Sequence, residues 1–374
     1  MKGIRVVDLT SALSGPFCTW LLATLGADVI KVESPDGDSA RTAPPFEDDI
    51  SLYFASLNRS KRSIVLDLKN DTDKATLHRL LATADVFVEN MRPGVRDRLG
   101  CSDAELKRIN PRLVCASISG YGQQGSLSKR PAYDIAVQAM SGMMSINGPM
   151  GGPATRIGFS VGDIAASLFC TIGILQRLYQ RDAQSEQTDH LDVSMLACQW
   201  ACLENAFARY LNAGIVPGPI GSRHPSMTPF ETYPSADRDF VIALGGAKDW
   251  PRLCDAIGLA HYKNDVRFAE DEQRLAYRDE LDELLRPHFR TQPAQYWLDR
   301  MIEHSIPCAM VENVASIAES PISDEYDAFS SVKPSLEREM RFVRNPIAPL
   351  GEHETPAPAL GEHTDEILRE LNLL

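Results

Sequence analysis

The sequence predicts a doubly wound α/β protein built on a mostly parallel, Rossmann-like sheet, followed by a smaller α+β region. Three observations carry this. Short runs rich in Val and Ile recur along the first 120 residues, amphipathic helical patterns separate them, and a Gly/Pro-rich link at 214–219 precedes a stretch of different texture. Strands that alternate with helices imply βαβ units, which pair in parallel and bury both faces of the sheet.

IRVVD (4–8) reads as a buried strand, followed by a loop through Ser14-Gly15-Pro16 and a helix over 17–25 that Gly26 ends. DVIKVE (28–33), SIVLDL (63–68), DVFVEN (85–90) and LVCASISG (113–120) supply four further strands, with a helix over 71–83. Ligands of such sheets bind outside the carboxyl ends of the strands, so Asn90 and the loop after Ser119 are candidate site walls. Apolar helical patterns then cover 133–146, 164–180 and 192–212. Further on, FETY (230–233) and FVIALG (240–245) read as strands, and 249–259, 275–286 and 293–304 as helices. The expected organisation is a large domain over 1–219, a small α+β domain over 220–320, and a linker and C-terminal arm over 321–374. That proline-rich arm is expected to return to the large domain and close in a helix over 364–372.

A chain of 374 residues with 44% hydrophobic and 24% charged residues can bury a proper core without staples. No apolar run reaches the roughly 20 residues that span a bilayer. The start shows no signal-peptide pattern, so a cytoplasmic location is expected. The net charge of −13 argues against nucleic acid or an anionic membrane as partner. The eight cysteines form no CxxC pair and the eight histidines no HExxH, so neither a metal site nor disulfides are expected.

Gly162-Asp163 opens an apolar helical stretch, Ile164 to Leu178. A helix N-terminus offers free N–H groups and the positive end of the macrodipole, which suit either an N-capping aspartate or a nucleophilic carboxylate. Gly162 would leave room for a substrate's approach. Gly120-Tyr121-Gly122-Gln123-Gln124-Gly125 matches GxGxxG but runs on into a loop, so it reads as a glycine loop and not as a dinucleotide site. Lys61, Arg62, Lys69, Arg92, Arg96 and Arg98 gather basic charge in the first domain, as a phosphate-binding wall or as a solvated surface. Gly245-Gly246 ends a strand, either as a tight turn or as N–H donors to a substrate anion. Arg223 and His224 form a polar loop cluster in which His224 is either structural or a base.

These stretches converge on a family. VVDLTSALSGPFCTWLLATLGADVIKVE from Val6, SLYFASLNRSKRSIVLDLK from Ser51, VENMRPGVRDRLG from Val88, AYDIAVQAMSG from Ala132, GDIAAS from Gly162 and LGEHTDEIL from Leu360 resemble the class III CoA-transferases. That group includes the formyl-CoA and carnitine CoA-transferases. The resemblance implies an interlaced homodimer, coenzyme A or an acyl-CoA and a small carboxylic acid as substrates, and no tightly bound cofactor. It implies Asp163 as the nucleophile. It also implies that CoA lies along Leu13 and Ser14, along Leu66, Asp67, Leu68 and Lys69, along Asn90, Met91 and Arg92, at Arg98, and along Ala132, Tyr133 and Asp134. Departures fall at Leu13, where formyl-CoA transferase has glutamine, at Ser34, where it has arginine, and at Gly245-Gly246-Ala247, where its glycine lid is longer. Arg223, His224, Gly245 and Gly246 are candidates for the acyl pocket.

The implied chemistry moves CoA reversibly from a thioester to a free acid through an aspartyl anhydride and an aspartyl-CoA thioester. Two alternatives accompany it. An α-methylacyl-CoA racemase resembles the chain equally as far as LVCASISG, but such enzymes carry a His-Asp pair where this chain has Tyr133-Asp134, and tyrosine is a poor base at neutral pH. A non-catalytic CoA-binding protein would keep the basic wall without needing Asp163.

Overall fold

Six short strands build the main sheet: β1 (Arg5–Leu9), β2 (Asp28–Glu33), β3 (Lys61–Val65), β4 (Val86–Glu89), β5 (Val114–Ser119) and β6 (Leu191–Ser194). Their order is β3-β2-β1-β4-β5-β6, and every neighbouring pair is parallel. The apolar residues alternate between the faces, as the two-residue period of a strand requires. Val6, Val29, Val86 and Val88 enter one core with Leu22 and Ile174, while Val7, Ile30 and Phe87 enter the other with Leu77, Leu80 and Ile367. Both faces are thus covered, as parallel sheets demand.

The computed structural model describes residues 1–183, 189–246, 248–335, 338–348 and 354–374. Ala247 therefore lies outside the described residues. The chain divides into two compact units. One comprises Met1–Met144, Arg156–Val216 and Asp324–Leu374, and the other Ser145–Thr155 with Pro217–Ser323. The excursion 145–155, which no sequence signal separates from its neighbours, belongs to the second unit.

Five helices of the first unit position the site: α1 (Ser14–Thr24), α2 (Leu52–Asn58), α3 (Asp134–Ser141), α4 (Val161–Ala183) and α5 (Met195–Cys202). By length and a hydropathy of 1.3, α4 would suit a membrane span, but Ala165, Ala166, Cys170 and Ile174 on it pack into the core. Sequence periodicity predicts helix over 192–212; instead Leu191–Ser194 is the edge strand β6, and Ser194 caps α5 by accepting the Ala197 N–H. Four strand residues that run straight into a helix leave no break for the pattern to show. An antiparallel hairpin, Phe329–Ser335 with Arg338–Val343, also lacked a sequence signal.

The second unit has a three-stranded antiparallel sheet, with Asp239–Ala243 between Phe230–Pro234 and Cys308–Met310. Its core is aromatic: Phe289 meets Phe240 and Trp297 edge-on at centroid distances of 5.1 and 5.4 Å.

Candidate active site

The chain leaves β1 toward β2 and β3 on one side, then returns to β4 on the other, so the loops after β1 and β4 diverge. This reversal of strand order is where doubly wound sheets open a crevice. Here it measures about 540 Å³ and is lined by Ser11 to Ser14 after β1, Asn90 and Arg92 after β4, and Ser119 and Gly120 after β5. Asn90 stitches the two diverging loops, its Oδ1 accepting the Ser11 N–H at 2.9 Å and its Nδ2 donating to the Ser11 carbonyl at 2.8 Å.

Ala12 holds a φ of 64°, a left-handed conformation that a non-glycine residue adopts only when held. Asp38 supplies the hold by accepting the Ala12 N–H at 3.0 Å, and Lys31 pairs with Asp38 at 2.8 Å while donating to the Thr10 carbonyl. Beside them Lys61 meets Asp8 at 3.0 Å and donates to Thr19, Asn58 and the Pro16 carbonyl. Burial alone would push the Asp8 carboxyl up, but Lys61 and Lys31 hold it well below the usual carboxylate range. Buried charges are tolerable when saturated in this way, and the result is a rigid floor under the loop. Gly15 permits the contact of α1 with β1, since a Cβ there would stand 2.3 Å from that of Thr10.

Asp163 lines the crevice from α4. The helix begins at Val161, three residues ahead of the sequence-predicted start, so Asp163 sits inside the first turn and is not the cap. The reason is tertiary: the Gly162 N–H finds its acceptor on another helix, at Asp134 Oδ1, 2.8 Å away. The Asp163 carboxylate instead shares the crevice with the Ser14 side chain, which favours its ionised form. Burial, with Asp134 nearby, raises its pKa to about 6, and Ser14 acts against the rise. Gly162 is not a gap for substrate. It is buried, and a Cβ there would stand 2.1 Å from Gln199 Nε2 and 3.0 Å from Asp134 Oδ1.

Of the CoA-binding residues the resemblance implies, the crevice brings Leu13, Ser14, Asn90, Arg92, Ala132, Tyr133 and Asp134 together with Asp163. Gly120 lets the 132–134 segment approach, because a Cβ on it would stand 2.2 Å from that of Ala132. Tyr133 is 84% exposed, whereas Asp134 is buried at 6% and its carboxylate is turned into the protein. Leu66, Asp67, Leu68, Lys69, Met91 and Arg98 do not line this crevice. Leu66 is 4% exposed and belongs to the core, so it has no side chain to offer a ligand. Met91 gives its N–H to Glu89 at 2.7 Å, Lys69 is exposed on a turn, and Arg98 is exposed at the end of the short helix Val95–Arg98.

Half of the basic wall is internal pairing. Lys61 is consumed by Asp8, Arg62 by Asp28 and Glu370 at 2.7 Å each, and Arg96 by Asp103 at 2.7 Å. Arg92 is the member that reaches the crevice. The four acyl-pocket candidates lie in the second unit, and their polar groups are engaged. Arg223 is held by Asp282, by Glu231 at 3.5 Å and by the exposed Asp279 at 3.4 Å; burial of Asp282 and Glu231 demands a cation. His224 packs on Phe230 at 4.9 Å and accepts the Ser226 N–H. The N–H groups of Gly245 and Gly246 both point at Asp249 Oδ2, at 2.9 and 3.1 Å, so an internal carboxylate occupies the expected anion nest.

Two crevice residues had no sequence signature. Tyr53 enters from α2, where burial and the nearby Asp163 push its phenol up to about 12 and keep it a proton-bearing donor at neutral pH. Arg156 lies 3.7 Å from Asp134 Oδ2. Tyr53 falls within the SLYFASLNR stretch, and that resemblance is the signal that could have marked it. Among the described residues no group of three His, Cys, Asp or Glu is placed to hold a metal ion.

Sheet, switch-point crevice and half-buried carboxylate define an α/β protein with an enzyme-like site. The chain belongs to CoA-transferase family III, whose model matches residues 1–364. It is 44% identical to the acetyl-CoA:oxalate CoA-transferase of Acetobacter aceti, a match covering 85% of this chain and 82% of that protein. It is 33% identical to the succinate–glutarate CoA-transferase of Agrobacterium fabrum (strain C58), over 100% and 96% of the two chains. The crystal structure of a CaiB/BaiF family protein from Brucella suis superposes with a TM-score of 0.87 at 31% identity, covering 99% of this chain and 98% of that one.

Proposed function

We propose that this protein moves CoA from an acyl-CoA to a free carboxylic acid, with Asp163 as the nucleophile. The observation that carries this is the Asp163 carboxylate itself, half-buried in the switch-point crevice beside Ser14 and less acidic than a solvated aspartate. A carboxylate with a pKa near 6 is mostly ionised at neutral pH and is more basic, hence a stronger nucleophile.

An Asp163 oxygen attacks the thioester carbonyl, the C–S bond breaks, and CoA thiolate leaves a mixed anhydride. The thiolate then attacks the aspartyl carbonyl and expels the donor carboxylate, which leaves an aspartyl-CoA thioester. The acceptor carboxylate attacks that thioester, CoA thiolate departs again, and its attack on the acceptor's acyl carbonyl releases the new acyl-CoA and restores Asp163. Each addition places negative charge on an oxygen, and the Ser14 and Tyr53 hydroxyls are donors within the same crevice.

The names of the relatives, with oxalate, succinate and glutarate in them, support a short dicarboxylic acid as acceptor or donor. Arg92 supplies a cation at the crevice for the CoA phosphates or the acid. The working form we propose is the family's interlaced homodimer. In its favour, α4 leaves Leu168, Phe169, Ile172 and Tyr179 exposed along its length, with Ile172 at 63%, an apolar face that a second copy would cover.

The test is CoA exchange between acetyl-CoA or succinyl-CoA and a panel of mono- and dicarboxylic acids, for the wild type and Asp163→Ala. The expected result is exchange by the wild type and none by the variant. Tight CoA binding without exchange across the panel would support a binding protein instead. Deuterium entering the α-position of a 2-methylacyl-CoA without any acceptor would support a racemase.

A further inference from the structure

Asp134 is a crevice residue whose carboxylate is committed inward. Its Oδ1 accepts the N–H of Gly162 at 2.8 Å, and its Oδ2 accepts Gln138 Nε2 at 2.6 Å. Gln138 is itself fixed, its Oε1 taking the Ile157 N–H at 2.9 Å, just ahead of α4. A helix N-terminus normally satisfies its first N–H groups with a local side chain. Here the acceptor for the second helical residue comes from α3, so the first turn of α4 is positioned by a neighbouring helix. The residue next to that bond is Asp163.

We propose that Asp134 is a positioning residue for the reaction and not a CoA contact: its carboxylate fixes the turn that carries Asp163, and its negative charge keeps Asp163 reactive. The proposal rests on the transfer reading of Asp163. Two carboxylates sharing one helix end repel, which disfavours ionisation of Asp163 and makes it a better nucleophile once ionised. The other groups facing Asp163 leave that role to Asp134. Tyr53 is neutral, Ser14 acts in the opposite direction, Arg156 reaches Asp134 at 3.7 Å, and Arg92 is an exposed residue of the crevice lining. The raised pKa of Asp163, with burial as its first cause and Asp134 as its second, agrees with this geometry.

The experiment compares the wild type, Asp134→Ala and the double variant Asp134→Asn with Gln138→Glu. The double variant keeps an oxygen for the Gly162 N–H and reverses the donor and acceptor between residues 134 and 138. Two readouts are taken: kcat and KM for CoA transfer, and the pH dependence of carbodiimide modification of Asp163, followed by peptide mass analysis. Misplacement of a reacting group by about 1 Å costs about 100-fold, so kcat of Asp134→Ala is expected to fall by that order with little change in KM. The double variant is expected to recover most of the loss. Modification of Asp163, which requires its protonated form, is expected to move to lower pH in Asp134→Ala.

A rise in KM at constant kcat, or a folded double variant with no recovery, overturns the proposal. So does an unchanged modification profile in an otherwise active series. If the wild type transfers no CoA and the modification profile still moves, the transfer reading fails and the positioning of Asp163 by Asp134 stands.

Discussion

Gln199 Nε2 lies 2.1 Å from the point where a Cβ on Gly162 would stand, so α5 presses directly on the backbone that precedes Asp163. The glycine of the Gly-Asp pair is therefore a packing requirement. Gly162→Ala forces Gln199 or the start of α4 to move, at a cost of about 1–3 kcal/mol for overpacking a buried site. Because Asp163 rides on the displaced turn, turnover is expected to fall about 100-fold. Thermal denaturation and steady-state kinetics on one preparation read the two effects together.

The pH dependence follows from the environment of Asp163. Burial, then Asp134, raise its pKa to about 6, so the carboxylate is ionised above that pH and protonated below it. Only the ionised form attacks a thioester. The expected outcome is a kcat/KM for acyl-CoA that is level near neutrality and falls tenfold per unit well below pH 6. Tyr53, pushed up to about 12, adds no limb near neutrality.

Asn90 joins the loops on either side of the crevice through two bonds to Ser11. Asn90→Ala removes both, at about 1 kcal/mol per bond. The crevice mouth is then held by less, and KM for acyl-CoA is expected to rise about tenfold while the protein still folds. Titration of CoA by calorimetry, alongside a thermal melt, checks both halves.

Lys61 tests the difference between a basic wall and a buried pair. Lys61→Met strands Asp8 without its cation, and removing one partner of a buried pair costs about 3–5 kcal/mol. A large drop in melting temperature is expected, with unchanged CoA affinity in the fraction that remains folded. Weaker CoA binding with unchanged stability would return Lys61 to the ligand site.

Much of this architecture was legible because local and global signals agree. β1, β2 and β4 are Val- and Ile-rich runs between turn residues, and their alternation already assigns Val6 and Val7 to opposite faces. β6 was not legible, since Leu191–Ser194 runs without a break into α5. Asp163 stood out because a helix start and a Gly-Asp pair coincide in sequence. Pairing across the fold is the information that sequence hides: Lys61 meets Asp8 from 53 residues away, and Arg223 meets Asp282 from 59. The N–H groups of Gly245 and Gly246 looked free for a substrate only because the reach of Asp249 back to them is a matter of backbone geometry. Tyr53 and Arg156 carry no spacing rule that would single them out.

The most direct test of the central claim is to trap the covalent intermediate. The wild type turning over an acyl-CoA is quenched with hydroxylamine or borohydride, digested, and its peptides weighed. The account predicts a modification on Asp163 that requires the thioester and is absent from Asp163→Ala. An adduct on another residue, or an Asp163→Ala variant that still exchanges CoA, would contradict it.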